Sequence, residues 1–137
     1  MIFVDTSALL ARYVERDQYH AQALSAWGKL AKKHEKCITS NFVLDEFFTL
    51  LARRTDYRFA AERARLLLRS RSLLILRPTA DNEIEALDDF EKFADKGVSF
   101  TDAISFTLMR GGRIRRAFSF DRHFQDAGFE VWPSKAS

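Results

Sequence analysis

Short, uninterrupted apolar runs recur along the chain, and helical patterns fill the intervals between them. The first run, residues 2–4, is Ile-Phe-Val; others lie at 37–39, 73–76 and 117–120, with a fifth strand predicted over 129–132. A continuous apolar run, unlike an alternating one, suits a strand covered on both faces. The intervals carry apolar residues at helical spacing over 8–15, 18–33, 41–54, 58–69, 80–93 and 100–110. Strands alternating with helices require a mostly parallel sheet with helices on both faces, an α/β fold. Helix starts are marked by capping residues: Thr6 or Ser7, then Asp17, Ser40, Asp56, Thr79 and Ser99, while Gly111-Gly112 closes the sixth helix.

The bulk properties narrow the class. At 137 residues, with 47% apolar residues and thirteen Phe, the chain supports one domain over 1–137 with an ample core. Cys37 is the single cysteine, so an intrachain disulfide is excluded and a reducing, cytoplasmic setting is expected. The amino terminus runs straight into a strand without signal-peptide features, and no apolar run approaches the ~20 residues of a membrane span. A net charge of +3 permits a nucleic-acid partner without requiring one.

Four acids are expected at one edge of the sheet. Asp5 follows the first strand and Asp121 follows the fourth, and in open α/β sheets ligands bind beyond the carboxyl ends of strands. Glu46 has Phe42, Val43, Thr49 and Leu50 as its helical neighbours, so it faces inward, while Asp45 looks toward solvent. Asp102 stands three residues after Ser99 at a helix start, with Thr101 and Ser105 beside it as groups able to orient a carboxylate. Each acid has a plain structural alternative: Asp5 and Asp102 as caps, Asp121 as a turn former, Glu46 in a salt bridge.

Charge is unevenly distributed. Residues 53–77 carry eight arginines against two acids, and 110–123 carry five against Asp121; the seven acids of 81–95 face one lysine and read as a solvated helix face. Arginines around the fourth strand, Arg122 among them, suit phosphate through their planar fork. Four clustered carboxylates need a cation, and hard oxygen donors select Mg²⁺ or Mn²⁺. His20, His34 and His123 are scattered, so a zinc cluster is not expected. Acids, metal and arginines together point to phosphodiester hydrolysis.

The ordered segments Met1-Ile2-Phe3-Val4-Asp5-Thr6-Ser7, Val43-Leu44-Asp45-Glu46, Ser99-Phe100-Thr101-Asp102-Ala103 and Phe118-Ser119-Phe120-Asp121-Arg122-His123-Phe124 resemble those of PIN-domain ribonucleases. They are most similar to the small VapC-type toxins of toxin–antitoxin pairs. The resemblance implies a three-layer α/β/α sandwich and metal-dependent endoribonuclease activity on RNA. It assigns Asp5, Glu46, Asp102 and Asp121 as the catalytic quartet, with Asp5, Asp102 and Asp121 on the Mg²⁺ or Mn²⁺. Thr6, Ser119 and Arg122 become substrate-positioning residues, and Asp95 matches an acid preceding the third motif. A homodimer and a cognate antitoxin are implied partners.

Other classes are weighed by what they lack. A haloacid-dehalogenase-type phosphatase needs a second acid where Ser7 stands. A phospho-receiver domain needs an acid after the third strand, which here ends Leu76-Arg77-Pro78. A non-catalytic PIN-like module that binds RNA or protein remains the alternative, although binding alone does not require four acids.

Overall fold

The computed structural model describes residues 1–134. The expected single domain over 1–137 thus includes residues 135–137, which lie outside the described part. Five strands, β1 (Ile2–Val4), β2 (Cys37–Ser40), β3 (Leu73–Leu76), β4 (Arg116–Phe118) and β5 (Glu130–Trp132), form one sheet in the order β3-β2-β1-β4-β5. Every pairing is parallel, with Phe3 opposite Ile38 on one side and Ala117 on the other. The chain winds outward from β1 to β3, then returns to β1's other side for β4. That reversal is the topological switch point at which α/β sheets open a crevice. Helices cover both faces, giving the three-layer α/β/α sandwich.

Among the described residues there are seven α-helices where six were expected: α1 (Thr6–Tyr13), α2 (His20–Lys32), α3 (Asn41–Arg54), α4 (Tyr57–Arg69), α5 (Ala80–Lys92), α6 (Phe100–Gly111) and α7 (His123–Asp126). Ser40 and Asp56 cap α3 and α4 through the amides of Val43 and Phe59. Thr79 and Ser99 build full capping boxes with Asn82 and Asp102. Two starts differ from expectation. Asp5 itself, not Thr6 or Ser7, is the N-cap residue of α1, and it makes no side-chain cap bond; its Oδ2 accepts from the Ser7 and Ser119 hydroxyls instead. Helix α2 begins at His20, since Asp17 forms a turn first: its side chain accepts from the Tyr19 amide at 2.9 Å and its carbonyl from His20 at 3.0 Å. A 3₁₀ turn at Ala94–Lys96 was also unforeseen; Gly97 closes it with φ of 70°, a conformation that suits glycine.

The core explains how the functional edge is held. Phe3, Phe47, Phe106, Phe118 and Phe124 are fully buried, and each contributes roughly 1.5–3 kcal/mol by leaving water. Phe124 meets Phe106 edge-to-face at 5.2 Å and Phe3 at 6.4 Å. Helix α7 is only four residues long, so this anchor, more than helix propensity, fixes the turn that carries Asp121 and His123. Most acids of residues 81–95 do face solvent; Asp89 is buried instead and accepts two bonds from Arg110, at 2.6 and 3.2 Å, which tie α5 to α6. Among the described residues no helix is long and apolar enough to cross a membrane.

Candidate active site

Asp5 leaves β1 at the switch point and is 3% exposed. Its backbone amide still donates to the Phe118 carbonyl at 3.0 Å, so the β1–β4 ladder sets its position. Two hydroxyls converge on one carboxylate oxygen: Ser7 Oγ and Ser119 Oγ each donate to Asp5 Oδ2 at 2.9 Å. The same two hydroxyls shape the next turn. Ser7 Oγ accepts from the Phe120 amide at 2.9 Å, and Ser119 Oγ from the Asp121 amide at 3.0 Å. Strand β4 therefore ends at Phe118, two residues earlier than expected, because these side chains take over the backbone donors. Burial, followed by the charge of Asp102, pushes the Asp5 carboxyl up to about 7, against the pull of the two serines.

Asp102, Asp121 and His123 form the open side of the site. One ligand atom from each lies within 4.8 Å of the others. His123 Nδ1 is 2.8 Å from Asp102 Oδ2 and 3.4 Å from Asp121 Oδ2. Its Nε2 lies 3.1 Å from the Lys96 carbonyl, which can only accept, so Nε2 carries a proton. Carboxylates at Nδ1 as well favour the imidazolium form of the ring. Burial opposes that charge, but the bond to Asp102 and the charges of Asp121 and Asp102 outweigh it and raise the His123 pKa. Burial likewise raises Asp102, with Asp121 adding to the shift and His123 opposing it.

Glu46 approaches from α3. It is half-buried while Asp45 is exposed, as the helical face argument requires. Burial and the charge of Asp102 raise its pKa; the Thr6 and Thr101 hydroxyls beside it act the other way, and Asp121 adds a smaller push upward. Thr6 Oγ1 is buried and closes no full hydrogen bond. Ser105 does not orient a carboxylate: it donates to the Thr101 carbonyl at 2.9 Å. Asp95 is exposed on the 3₁₀ turn. Arg122 is exposed and lines two hollows that also reach Asp121.

Asp5, Glu46, Asp102 and Asp121 are thus brought into one electrostatically coupled group. Two members were not foreseen, Ser7 and His123. Ser7 had a signal, a hydroxyl two residues after the strand-end acid; His123 had one in standing two residues after Asp121. The donor set is mainly carboxylate oxygen, with one imidazole and an unpaired threonine hydroxyl nearby. That chemistry fits a hard divalent cation.

A model of the PIN domain matches residues 2–130. The chain belongs to the PIN-domain family. Within it, the chain is 40% identical over 134 residues to the 23S rRNA-specific endonuclease VapC20 of Mycobacterium tuberculosis, in strains CDC 1551 / Oshkosh and ATCC 25618 / H37Rv. That match covers 97% of this chain and 99% of the relative. The crystal structure of M. tuberculosis VapC20, described as a sarcin–ricin loop cleaving toxin, superposes with a TM-score of 0.85 at 38% identity, over 94% of this chain and 96% of the other. The PIN-domain likeness therefore spans both the sheet and the crevice that holds the carboxylates.

Proposed function

We propose that this PIN-domain chain is a divalent-metal-dependent endoribonuclease, a single catalytic domain that serves as the toxin of a toxin–antitoxin pair. The observation that carries this reading is the meeting of Asp5, Glu46, Asp102 and Asp121 at the switch point, where burial and mutual repulsion raise the pKa of Asp5, Glu46 and Asp102. Pure binding gives no reason to concentrate such repulsion. A cation relieves it, and Asp5, Asp102 and Asp121 are the residues to hold Mg²⁺ or Mn²⁺.

When bound, the metal supplies a Lewis acid for the phosphate and lowers the pKa of water. The chain's own residues prepare the rest. Ser7 and Ser119 fix the Asp5 carboxylate by two donated bonds to Oδ2, so Oδ1 is left free of both. Glu46, whose pKa is raised by burial and by the charge of Asp102, is a stronger base toward an attacking water than a free carboxylate. His123 holds Asp102 in place, and Arg122 on the rim offers its fork to a phosphate of the strand. Thr6 supplies a hydroxyl with spare hydrogen-bonding capacity for substrate or water.

By likeness to VapC20, 23S rRNA and its sarcin–ricin loop are the first substrates to test, in the cytoplasm. A cognate antitoxin is the expected inhibitor, and a hollow of about 820 Å³ bordered by Tyr13, Trp27 and Leu66 offers it an aromatic surface. A homodimer is supported by the exposed stripe Ile84, Leu87 and Phe90 on α5. The deciding experiment incubates purified protein with ribosomal RNA and Mg²⁺ or Mn²⁺. Discrete cutting that a chelator stops is expected; folded, metal-loaded protein that cuts no RNA would leave the binding-module alternative.

A further inference from the structure

Tyr19 and Phe120 stack face to face, with ring centroids 4.7 Å apart and planes 3° from parallel. Tyr19 comes from the turn before α2, and Phe120 from the turn after β4. The five fully buried phenylalanines form the core, but Phe120 and Tyr19 are only half-buried. Phe120 is locked behind by the edge of Phe118 at 5.9 Å, and its amide is held by Ser7, the same serine that donates to Asp5. The pair is therefore a rigid platform fastened to the carboxylate network.

Two hollows flank this platform, of about 480 and 390 Å³, and Asp121 and Arg122 border both. Both volumes fall in the ~300–1,000 Å³ range of small-ligand sites. The larger also presents Gln22, Gln125 and Glu130. Two amides and a carboxylate provide donors and acceptors beside an aromatic wall, the combination that reads an unstacked base by its edges. A phosphate would meet Glu130's negative charge there, and would be drawn to Arg122 on the rim. Asp121 belongs to the carboxylate group and also borders the hollow, so a phosphate at the carboxylates and its base beside the platform would occupy adjoining places.

We infer that the 480 Å³ hollow walled by Tyr19 and Phe120 is a nucleobase subsite that selects the nucleotide flanking the scissile phosphate of single-stranded or looped RNA. The inference rests on the ribonuclease reading for what lies at the carboxylates. Platform stacking dominates the energy, and the Gln22, Gln125 and Glu130 edges discriminate among bases.

Two measurements test it. In the first, wild-type protein with Mn²⁺ cleaves an RNA oligonucleotide made abasic at either nucleotide flanking the cut. One abasic position should lower kcat/KM about ten- to hundredfold, the loss expected of a stacked base. Tyr19→Leu should show the same loss on intact RNA, ignore the abasic change and keep wild-type Mn²⁺ affinity. The second needs no catalysis: Asp5→Asn protein binds the same RNA carrying 2-aminopurine at each position in turn. Quenching is expected at one position, and Tyr19→Leu in that background should abolish it. Wild-type indifference to abasic sites on both flanks, or no quenching anywhere, overturns the subsite. Quenching by Asp5→Asn protein, combined with metal-loaded wild-type protein that cuts no RNA, would sustain the subsite while refuting the ribonuclease reading.

Discussion

Ser119 Oγ donates to Asp5 Oδ2 at 2.9 Å, joining the ends of β1 and β4 through a pair almost wholly removed from water. The bond orients the deepest carboxylate of the site, and its acceptor atom is shared with Ser7. Residues that orient metal-binding groups typically account for 10–100-fold in metal affinity or activity. Ser119→Ala should therefore weaken Mn²⁺ binding and cleavage by about 10- to 100-fold while leaving the fold intact. Titration calorimetry with Mn²⁺ measures the first directly; unchanged affinity would deny Ser119 this role.

Asp5→Asn should lower cleavage by at least about a hundredfold, since it removes a charge from the group proposed to hold the metal. Its effect on stability has the opposite sign. The folded pKa of Asp5 is raised from 3.8 to about 7, so the native state holds a proton that the unfolded chain releases. Its stabilising contribution is present below pH 3.8 and is lost as pH rises to about 7. Metal-free Asp5→Asn protein should thus be more stable than wild type, with the gap in Tm widening across that window and constant above it. Thermal melts in chelator over a pH series provide the check, and a constant gap would contradict the burial argument.

His123 provides a second titration. Its folded pKa is raised above 6.5, so its contribution is full below pH 6.5 and disappears as pH rises through the folded value. Without metal, His123→Gln should cost about 1–2 kcal/mol below that pH and little well above it. Added Mg²⁺ neutralises carboxylate charge and should lower the His123 pKa. An NMR titration of the imidazole with and without Mg²⁺ reads this, and an unmoved curve would separate His123 from the metal-binding group.

Arg110→Met tests the fold apart from the site. Asp89 is 7% exposed and would lose its partner, whereas Arg110 is about half exposed. Breaking a fully buried pair costs about 3–5 kcal/mol, and partial exposure reduces this to about 1–3 kcal/mol. Chemical denaturation should show that loss with cleavage unaffected at low temperature. Loss of activity without loss of stability would mean that α5 and α6 communicate with the carboxylates.

Local signals made much of this legible. Strand-end acids, helix caps and the inward face of α3 are decided within a few residues, so Asp5, Glu46, Ser40, Asp56, Thr79 and Ser99 could be read directly. Long-range partners were hidden. Ser7 acts through Phe120 and His123 through Asp102, and neither pairing leaves a periodic trace. Asp89 looked like its solvated neighbours because only Arg110, 21 residues away, makes its burial tolerable. Helix α7 is too short for periodicity and exists because Phe124 is packed.

Because β4 enters the sheet beside β1, segments more than a hundred residues apart in the growing chain must meet before the carboxylates gather. A ribosome delivers Asp5 first, Glu46 and Asp102 later, and Ser119, Asp121 and His123 only with the last quarter of these residues. Until then Asp5 has neither the Phe118 carbonyl to fix its amide nor Ser119 to hold its side chain. A ribonuclease of this topology therefore has no assembled carboxylate group while residues 1–115 are being made, and gains one only when β4 can reach β1.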